Sequence, residues 1–190
     1  MMKNDIKEEY RGFILIVRVN KGEPKGRAIK DCPQKLPRFD LEGENFELIL
    51  QELKNHVDIY IKDGVADWDS VENKPDLYIK GFQNILPKLS DGHLSMLKAH
   101  FNAPGKTITA TKLAEAAGYK NYNAANMQYG YVGKYLHEEI FVPLKKRKDG
   151  TDIFTSALAT GEANETSPEK QWKWTMKTEV ADAIASLGLA

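Results

Sequence analysis

The stretch that decides the fold runs from Ser90 to Gly150 and reads SDGHLSMLKAHFNAPGKTITATKLAEAAGYKNYNAANMQYGYVGKYLHEEIFVPLKKRKDG. Ser90 is a favourable N-cap residue, and the apolar residues after it recur at helical spacing as far as Pro104. Thr109 caps a second helix, which ends at Gly118 because glycine readily takes the left-handed conformation of a helix C-terminus. A short β-prone segment before Thr109 separates the two helices.

A third helix is predicted from about Tyr122 to His137. At 100° per residue its apolar side chains form one buried stripe, made of Ala125, Tyr129, Val132 and Leu136. Asp149-Gly150 is typical of a hairpin turn, which predicts that the flanking segments Phe141–Leu144 and Thr151–Leu158 are strands. The order helix, strand, helix, helix, hairpin is that of a winged helix, a helix-turn-helix variant whose third helix enters a groove of DNA.

The polar face of the third helix, opposite the stripe, carries Asn123, Asn126, Met127, Gly130 and Lys134. Asparagine can bind an adenine edge, lysine can reach phosphate or guanine, and glycine permits close backbone approach. Asn is also favoured as a cap, and each of Gly130 and Gly133 costs about 1 kcal/mol relative to alanine within a helix. Packing against another helix would offset that cost as well as DNA would. Gln128 lies beside the core stripe, so we expect it to make a structural hydrogen bond.

The densest basic run, Lys145 to Lys148, falls at the predicted hairpin tip, where a wing would contact phosphates. A solvated charge run is the alternative. The predicted DNA-binding residues are Lys120, Asn121, Asn123, Asn126, Gly130, Lys134, Lys145, Lys146, Arg147 and Lys148. A second candidate basic surface lies near the N-terminus and consists of Arg18, Lys21, Lys25, Arg27 and Lys30.

The N-terminal part is predicted as a small βββα unit. Its strands are Tyr10–Val19, Arg27–Asp31 and Lys35–Leu41, with a turn-prone loop at Gly22–Gly26, and its helix begins at Glu44 or Asn45. After the basic hairpin we expect a flexible loop, a strand and a final helix, at Gly161–Glu169, Gln171–Met176 and Thr178–Gly188. The fold class is therefore α+β, with a βββα unit at 1–63, an acidic linker with a short helix at 64–89, and a winged-helix-like domain at 90–190.

Charge and composition limit the functions that this chain can have. The 190 residues are 42% hydrophobic and 28% charged, with 27 basic and 27 acidic residues. This neutral balance excludes a uniformly basic nucleic-acid coat, but segments 1–30 and 91–150 each carry a charge of +4. No apolar run approaches the roughly 20 residues of a membrane span, so we expect a soluble, cytoplasmic protein without a membrane partner.

Residues with catalytic or metal-binding chemistry are sparse. The four histidines, His56, His93, His100 and His137, have no paired ligands at metal-binding spacing. Cys32, the single cysteine, stands between Asp31 and Pro33 in a loop context. Pro104-Gly105-Lys106-Thr107 lacks the first glycine of a phosphate-binding loop. We therefore predict no catalytic residues, no metal, no cofactor and no enzymatic activity.

Segments Leu97–Ala114, Tyr119–Gly130 and Thr155–Gly161, with the pattern Trp172-x-Trp174-x-Met176, resemble a module of bacterial proteins. Many of those proteins are uncharacterised, and some carry a C-terminal HNH endonuclease domain linked to restriction of foreign DNA. The resemblance covers about residues 90–188 and implies a DNA-associated role. No His-Asn-His motif follows the module, so nuclease activity is not carried over. Residues 10–61 are similar in pattern to the βββα unit of HicB-type antitoxins.

Two functions follow from these patterns. The first is a DNA-binding protein, regulatory or associated with restriction and defence, whose partner is double-stranded DNA. The second is a protein-interaction module, such as an anti-restriction protein, an antitoxin or a defence inhibitor, without DNA binding of its own. Its partner would be another protein or a second copy of the chain. The salt dependence of binding separates the two.

Overall fold

A computed structural model describes residues 5–30, 38–163 and 172–190. The chain is α+β, as predicted, and divides into two compact units, Met1–Asp67 and Trp68–Ala190. This division differs from the predicted linker at 64–89. The first long helix continues to Ala66, and Trp68 is buried in the second unit, where its ring meets Tyr78 edge-on at 6.0 Å.

The first unit is an antiparallel sheet of four strands with a helix on one face. The strands are β1 (Ile6–Tyr10), β2 (Phe13–Asn20), β3 (Glu23–Lys30) and β4 (Arg38–Glu42), in that spatial order, and the helix is α1 (Phe46–Ala66). Alternate β2 side chains, Phe13, Leu15 and Val17, are fully buried, as the two-residue period of a strand requires. A Cβ on Gly26 would collide with Ile49 of α1, so this glycine allows the helix to approach the sheet.

The prediction of three strands was wrong, because the tight turn at Arg11-Gly12 that separates β1 from β2 was missed, and the predicted loop after β2 is a turn of two residues. Arg11-Gly12 and Lys21-Gly22 both have positive φ, at 49°, 79°, 54° and 90°, respectively. Two consecutive left-handed residues make the hairpin turn whose twist fits that of the strands. The chain therefore reverses within two residues, and most of the predicted Gly22–Gly26 loop is strand. Residues 31–37, which include parts of two predicted strands, lie outside the described residues.

The second unit combines helices with a small sheet. Its helices are α2 (Lys74–Ile85), α3 (Asp91–Asn102), α4 (Ala110–Ala117), α5 (Tyr122–Ile140) and α6 (Thr178–Ser186). Its strands are β5 (Thr107–Thr109), β6 (Lys145–Lys146), β7 (Asp152–Ile153), β8 (Ala159–Ala163) and β9 (Trp172–Met176). The antiparallel order is β5-β9-β8, while β6 and β7 form a separate hairpin.

Local sequence determines where the helices of the second unit begin and end. Ser90 Oγ accepts the His93 N–H at 3.3 Å, and Thr109 Oγ1 accepts the Lys112 N–H at 3.3 Å. Gly118 ends α4 with φ 69°, so both predicted caps and this predicted helix end are confirmed. The predicted strand Phe141–Leu144 was wrong: α5 runs to Ile140 and Phe141 turns left-handed, so the first strand of the hairpin is Lys145–Lys146, which was predicted as its tip. The predicted strand Thr151–Leu158 shrinks to Asp152–Ile153, because the residues after Ile153 form a 3-10 turn. Gly161 is in β8 instead of a loop, and residues 164–171 lie outside the described residues.

The core of the second unit contains a buried polar contact among three elements. The predicted stripe on α5, Ala125, Tyr129, Val132 and Leu136, is fully buried. The Tyr129 hydroxyl lies 2.7 Å from His100 Nδ1, and His100 Nε2 lies 2.9 Å from the Trp174 carbonyl oxygen. A carbonyl only accepts, so Nε2 carries the proton and the tyrosine hydroxyl donates to Nδ1. Burial lowers the pKa of His100 to about 4.

Candidate nucleic-acid interface

The exposed face of α5 and the hairpin of β6 and β7 form the two sides of a groove of about 570 Å³. We call this the α5 groove, and residues 145–153 the basic hairpin. The helix contributes Asn126, Gly130 and Lys134, and the hairpin contributes Arg147, Thr151 and Asp152. Four of the ten residues that the sequence predicted from a helix face and a basic run thus lie on one concave surface, and the other six do not line it.

Hydrogen bonds within its turn organise the basic hairpin. The Arg147 N–H donates to the Thr151 carbonyl at 2.8 Å, and the Gly150 N–H donates to the Arg147 carbonyl at 3.0 Å. The Asp149 carboxylate accepts from the Thr151 N–H at 2.9 Å and from its hydroxyl at 2.7 Å. These hydrogen bonds from Thr151 lower the pKa of Asp149. The predicted Asp149-Gly150 turn is confirmed, and it keeps its acidic residue engaged with the hairpin's own backbone.

The four basic residues of the hairpin have different partners. Lys146 Nζ pairs with the Asp152 carboxylate at 2.8 Å. Arg147 Nη1 donates to Thr151 Oγ1 at 3.3 Å and to the Asp152 carbonyl at 2.9 Å. Lys145 and Lys148 are exposed, and within the described residues neither side chain takes part in a salt bridge. The hairpin therefore offers two lysine charges that no carboxylate of the described chain neutralises.

The predicted asparagines occupy different environments. Asn121 is the N-cap of α5, and its Oδ1 accepts the Ala124 N–H at 3.0 Å. Asn123 is exposed in the first turn. Asn126 is partly buried, and its buried Oδ1 has no hydrogen-bond partner among the described residues. The most accessible amide on this helix face is therefore that of Asn123, next to the exposed Lys120 and Asn121.

The two glycines inside α5 have different surroundings. A Cβ on Gly133 would collide with the carbonyl oxygen of Phe154. Gly133 thus allows the 3-10 turn Phe154–Ala157 to pack against the helix. A Cβ on Gly130 would meet no atom within 4 Å, because this residue faces the α5 groove. Packing within the described chain accounts for Gly133 but not for Gly130.

Other residues singled out in the sequence have structural partners. Gln128 Oε1 lies 2.9 Å from His93 Nε2, which confirms its predicted structural role. Lys134 lies 3.7 Å from Glu138, so its charge is partly compensated. In the second candidate basic surface the charges are partly compensated, because Lys25 pairs with Glu42 and Arg27 pairs with Asp40, both at 2.5 Å, whereas Arg18 and Lys21 are exposed. Lys30, the last member of that set, is buried.

Sequence reasoning missed the hairpin residues that hold Arg147. Thr151 and Asp152 were read only as part of a strand, yet one supplies a hydroxyl and the other a carbonyl to the guanidinium. The turn at Asp149-Gly150 could have identified them, because it fixes which residues face the basic run across the hairpin. Large apolar side chains are also exposed on this face of α5, at Tyr122, Met127 and Tyr131.

Comparison with protein-family models, with curated proteins and with solved structures found no match. Within the described ranges, no group of three or more His, Cys, Asp or Glu side chains is placed to hold a metal ion. The helices of the described part of the chain are all too short or too polar to cross a membrane. The chemistry of the α5 groove is therefore the basis for a functional assignment.

Proposed function

We propose that this chain binds double-stranded DNA through the α5 groove, and that its second unit is winged-helix-like. Strand order supports the fold assignment. In a winged helix, the short strand after the first helix pairs with the second strand of the hairpin that follows the third helix. Here β5, which follows α3, pairs with β9, and β9 pairs with β8. On this proposal β8 and β9 correspond to the wing, and the basic hairpin is an additional projection beside α5.

The observation that carries the DNA proposal is the surface shared by the exposed face of α5 and the basic hairpin. Gly130 supports it, because a glycine inside a helix costs about 1 kcal/mol relative to alanine. No contact within the described chain requires it. A duplex lying against this face would benefit from the missing side chain, since the helix backbone could approach it closely.

Individual roles follow from accessibility and charge. Asn123 is exposed and is our candidate for contact with an adenine edge, because its amide offers one donor and one acceptor. Lys145, Lys148 and Lys120 are exposed cations suited to phosphates. Lys134 lines the groove and can reach a phosphate once it leaves Glu138. No catalytic role is assigned to any of them. The resemblance to restriction-associated modules favours a regulatory or defence setting.

Salt-dependent binding tests this function directly. Purified full-length chain is titrated with mixed-sequence duplex DNA at about 50 and about 200 mM salt, because each phosphate contact contributes about 0.9 to the slope of log K against log salt. Lys145→Ala with Lys148→Ala should lower that slope by about 1.8. The matched control is Lys80→Ala with Lys88→Ala, which removes two exposed lysines outside the groove. Absence of binding at low salt, or equal slopes for both pairs, would contradict the proposal.

A second candidate function is protein binding by the same helix face. The observation that favours it is the exposure of Tyr122, Met127 and Tyr131, which are 54%, 54% and 40% accessible. Aromatic residues and methionine are enriched in protein interfaces. A partner held by these side chains would bind with little salt dependence. Met127→Ala would then weaken binding more than the paired lysine substitutions do.

A further inference from the structure

We propose that Arg147 reads a guanine base through the Nε–Nη2 edge of its guanidinium, while Nη1 is held by Thr151 and Asp152. This inference rests on the proposed DNA-binding function and names the base that one residue recognises. It separates Arg147 from the neighbouring lysines, which sequence reasoning grouped with it as phosphate contacts. The ligand is the O6 and N7 edge of guanine in the major groove.

The hydrogen bonds of Arg147 leave one edge of the side chain unused. A guanidinium has five N–H donors arranged in a planar fork. Both contacts of Arg147 are made by Nη1, to Thr151 Oγ1 at 3.3 Å and to the Asp152 carbonyl at 2.9 Å. In the described part of the chain, Arg147 forms no salt bridge with a carboxylate. The Nε–Nη2 edge therefore keeps two parallel donors, which match a pair of acceptors on one plane.

Thr151 fixes the orientation of Arg147 through a directed chain of hydrogen bonds. Its hydroxyl donates to the Asp149 carboxylate at 2.7 Å, so its lone pairs face Arg147 Nη1. Asp149 in turn is held in place by the Thr151 N–H at 2.9 Å. A free arginine loses rotamer entropy when it is fixed. Part of that loss has already occurred in the hairpin, which favours a specific contact over a loose electrostatic one.

The position of Arg147 favours a base over a phosphate as its ligand. Arg147 lines the α5 groove opposite Gly130 and Lys134, whereas Lys145 and Lys148 are not part of that lining. A duplex lying against α5 would thus present its base edges to Arg147 and its backbone to the lysines. Lysine cannot reproduce the contact, because its ammonium is a point charge without two parallel donors. Phosphate oxygens also form an acceptor pair, and the experiment below separates the two ligands.

The test uses DNA that lacks one guanine acceptor. A random-sequence duplex pool is selected on the full-length wild-type chain and then resynthesised with 7-deazaguanine, which removes N7 but preserves base pairing. We expect wild-type affinity to fall by about five-fold or more. Arg147→Lys should bind the guanine pool more weakly and show a clearly smaller further loss on the 7-deazaguanine pool. Equal losses for both proteins, or no loss for wild type, would overturn the guanine assignment while leaving DNA binding intact.

Equal losses mean that Arg147→Lys weakens binding to both pools by the same factor, in which case Arg147 is a phosphate contact and the inference is wrong. If the wild type selects no DNA at low salt, both the proposed function and this inference fail.

Thr151 is testable as a positioning residue. Thr151→Val keeps the shape of the side chain but removes the hydroxyl, so we expect the discrimination between the two pools to fall toward that of Arg147→Lys. Thr151→Ser should restore it, because serine supplies the same hydroxyl. Thr178→Val, at an exposed position at the start of α6 outside the groove, is the matched control. Unchanged discrimination in Thr151→Val would show that the hydrogen-bond chain does not orient Arg147.

Discussion

The inner face of α5 carries a continuous buried stripe, whereas its outer face carries Asn123, Gly130 and Lys134, which are exposed or only partly buried. On the inner face, the polar side chain and the glycine each contact another element of the described chain. Tyr129 bonds to His100, and Gly133 makes room for Phe154. On the outer face a Cβ on Gly130 would meet no atom within 4 Å.

This difference separates residues that build the fold from residues that the fold does not explain. A helix with no external ligand would be more stable with alanine than with glycine at an open position. It would also satisfy the buried Oδ1 of Asn126, which has no partner among the described residues. Departures from local optima often mark functional surfaces.

The largest expected effect concerns protonation of His100 on the inner side. Its folded pKa is about 4, against an ordinary value of 6.5, because burial disfavours the charged ring. The unfolded chain therefore takes up a proton first as the pH falls. The neutral, buried His100 therefore stabilises the folded state fully above pH 6.5, and this stabilisation disappears progressively as the pH falls from 6.5 to 4. Its full size is about 3 kcal/mol, from about 1.4 kcal/mol for each pKa unit.

Urea unfolding of wild type and His100→Gln between about pH 7.5 and about pH 4.5 measures this contribution. The variant should be less stable at neutral pH, and the difference between the two proteins should shrink as the pH falls. Other titrating groups affect both proteins equally, so the difference isolates His100. A difference that does not vary with pH would show that His100 is not buried against Tyr129 and Trp174 as described.

Gly133→Ala should have the next largest effect. The new methyl group would overlap the backbone carbonyl of Phe154, and a backbone atom cannot move away as a flexible side chain does. Overpacking of this kind costs about 1–3 kcal/mol, more than the roughly 1 kcal/mol that alanine adds to helix propensity. We expect a net loss of unfolding free energy in urea. An unchanged or higher stability would mean that α5 and the 3-10 turn are not packed as closely as the structure indicates.

The elements that could be predicted from the sequence are those with local causes. Ser90, Thr109, Gly118 and Asn121 bound helices through contacts with residues three or four positions away. The buried stripe of α5 followed from its 3.6-residue period. Strand partners could not be predicted in the same way, because β5 pairs with β9, more than 60 residues later. Nothing in either short segment indicates the other, so the sequence predicted both strands but not that they pair.

The candidate site likewise has parts that local sequence patterns predict and parts that they do not. The helix face and the basic run were each recognisable from their own pattern, and the structure brings Gly130, Lys134 and Arg147 to one groove. The individual bonds were beyond the sequence, because they depend on register. Thr151 meets Arg147 only because the turn at Asp149-Gly150 sets which residues face each other. The salt bridges of Lys25 and Arg27 likewise depend on the register of β3 with β4, which the sequence alone does not give.

Gly130→Ala gives the smallest effect on stability and the sharpest contrast between the two faces. Its methyl group would enter open space, so the folded chain should gain about 1 kcal/mol from helix propensity alone. Under the proposed function, the same methyl group would stand between α5 and the duplex and weaken DNA binding. Stability is measured by urea unfolding and affinity by titration with the selected duplex pool. A variant that is more stable yet binds DNA less well would show that glycine at this position serves a ligand, because no contribution to folding favours it. A variant that is more stable and binds equally well would remove Gly130 from the interface and leave its presence in the helix without a functional explanation.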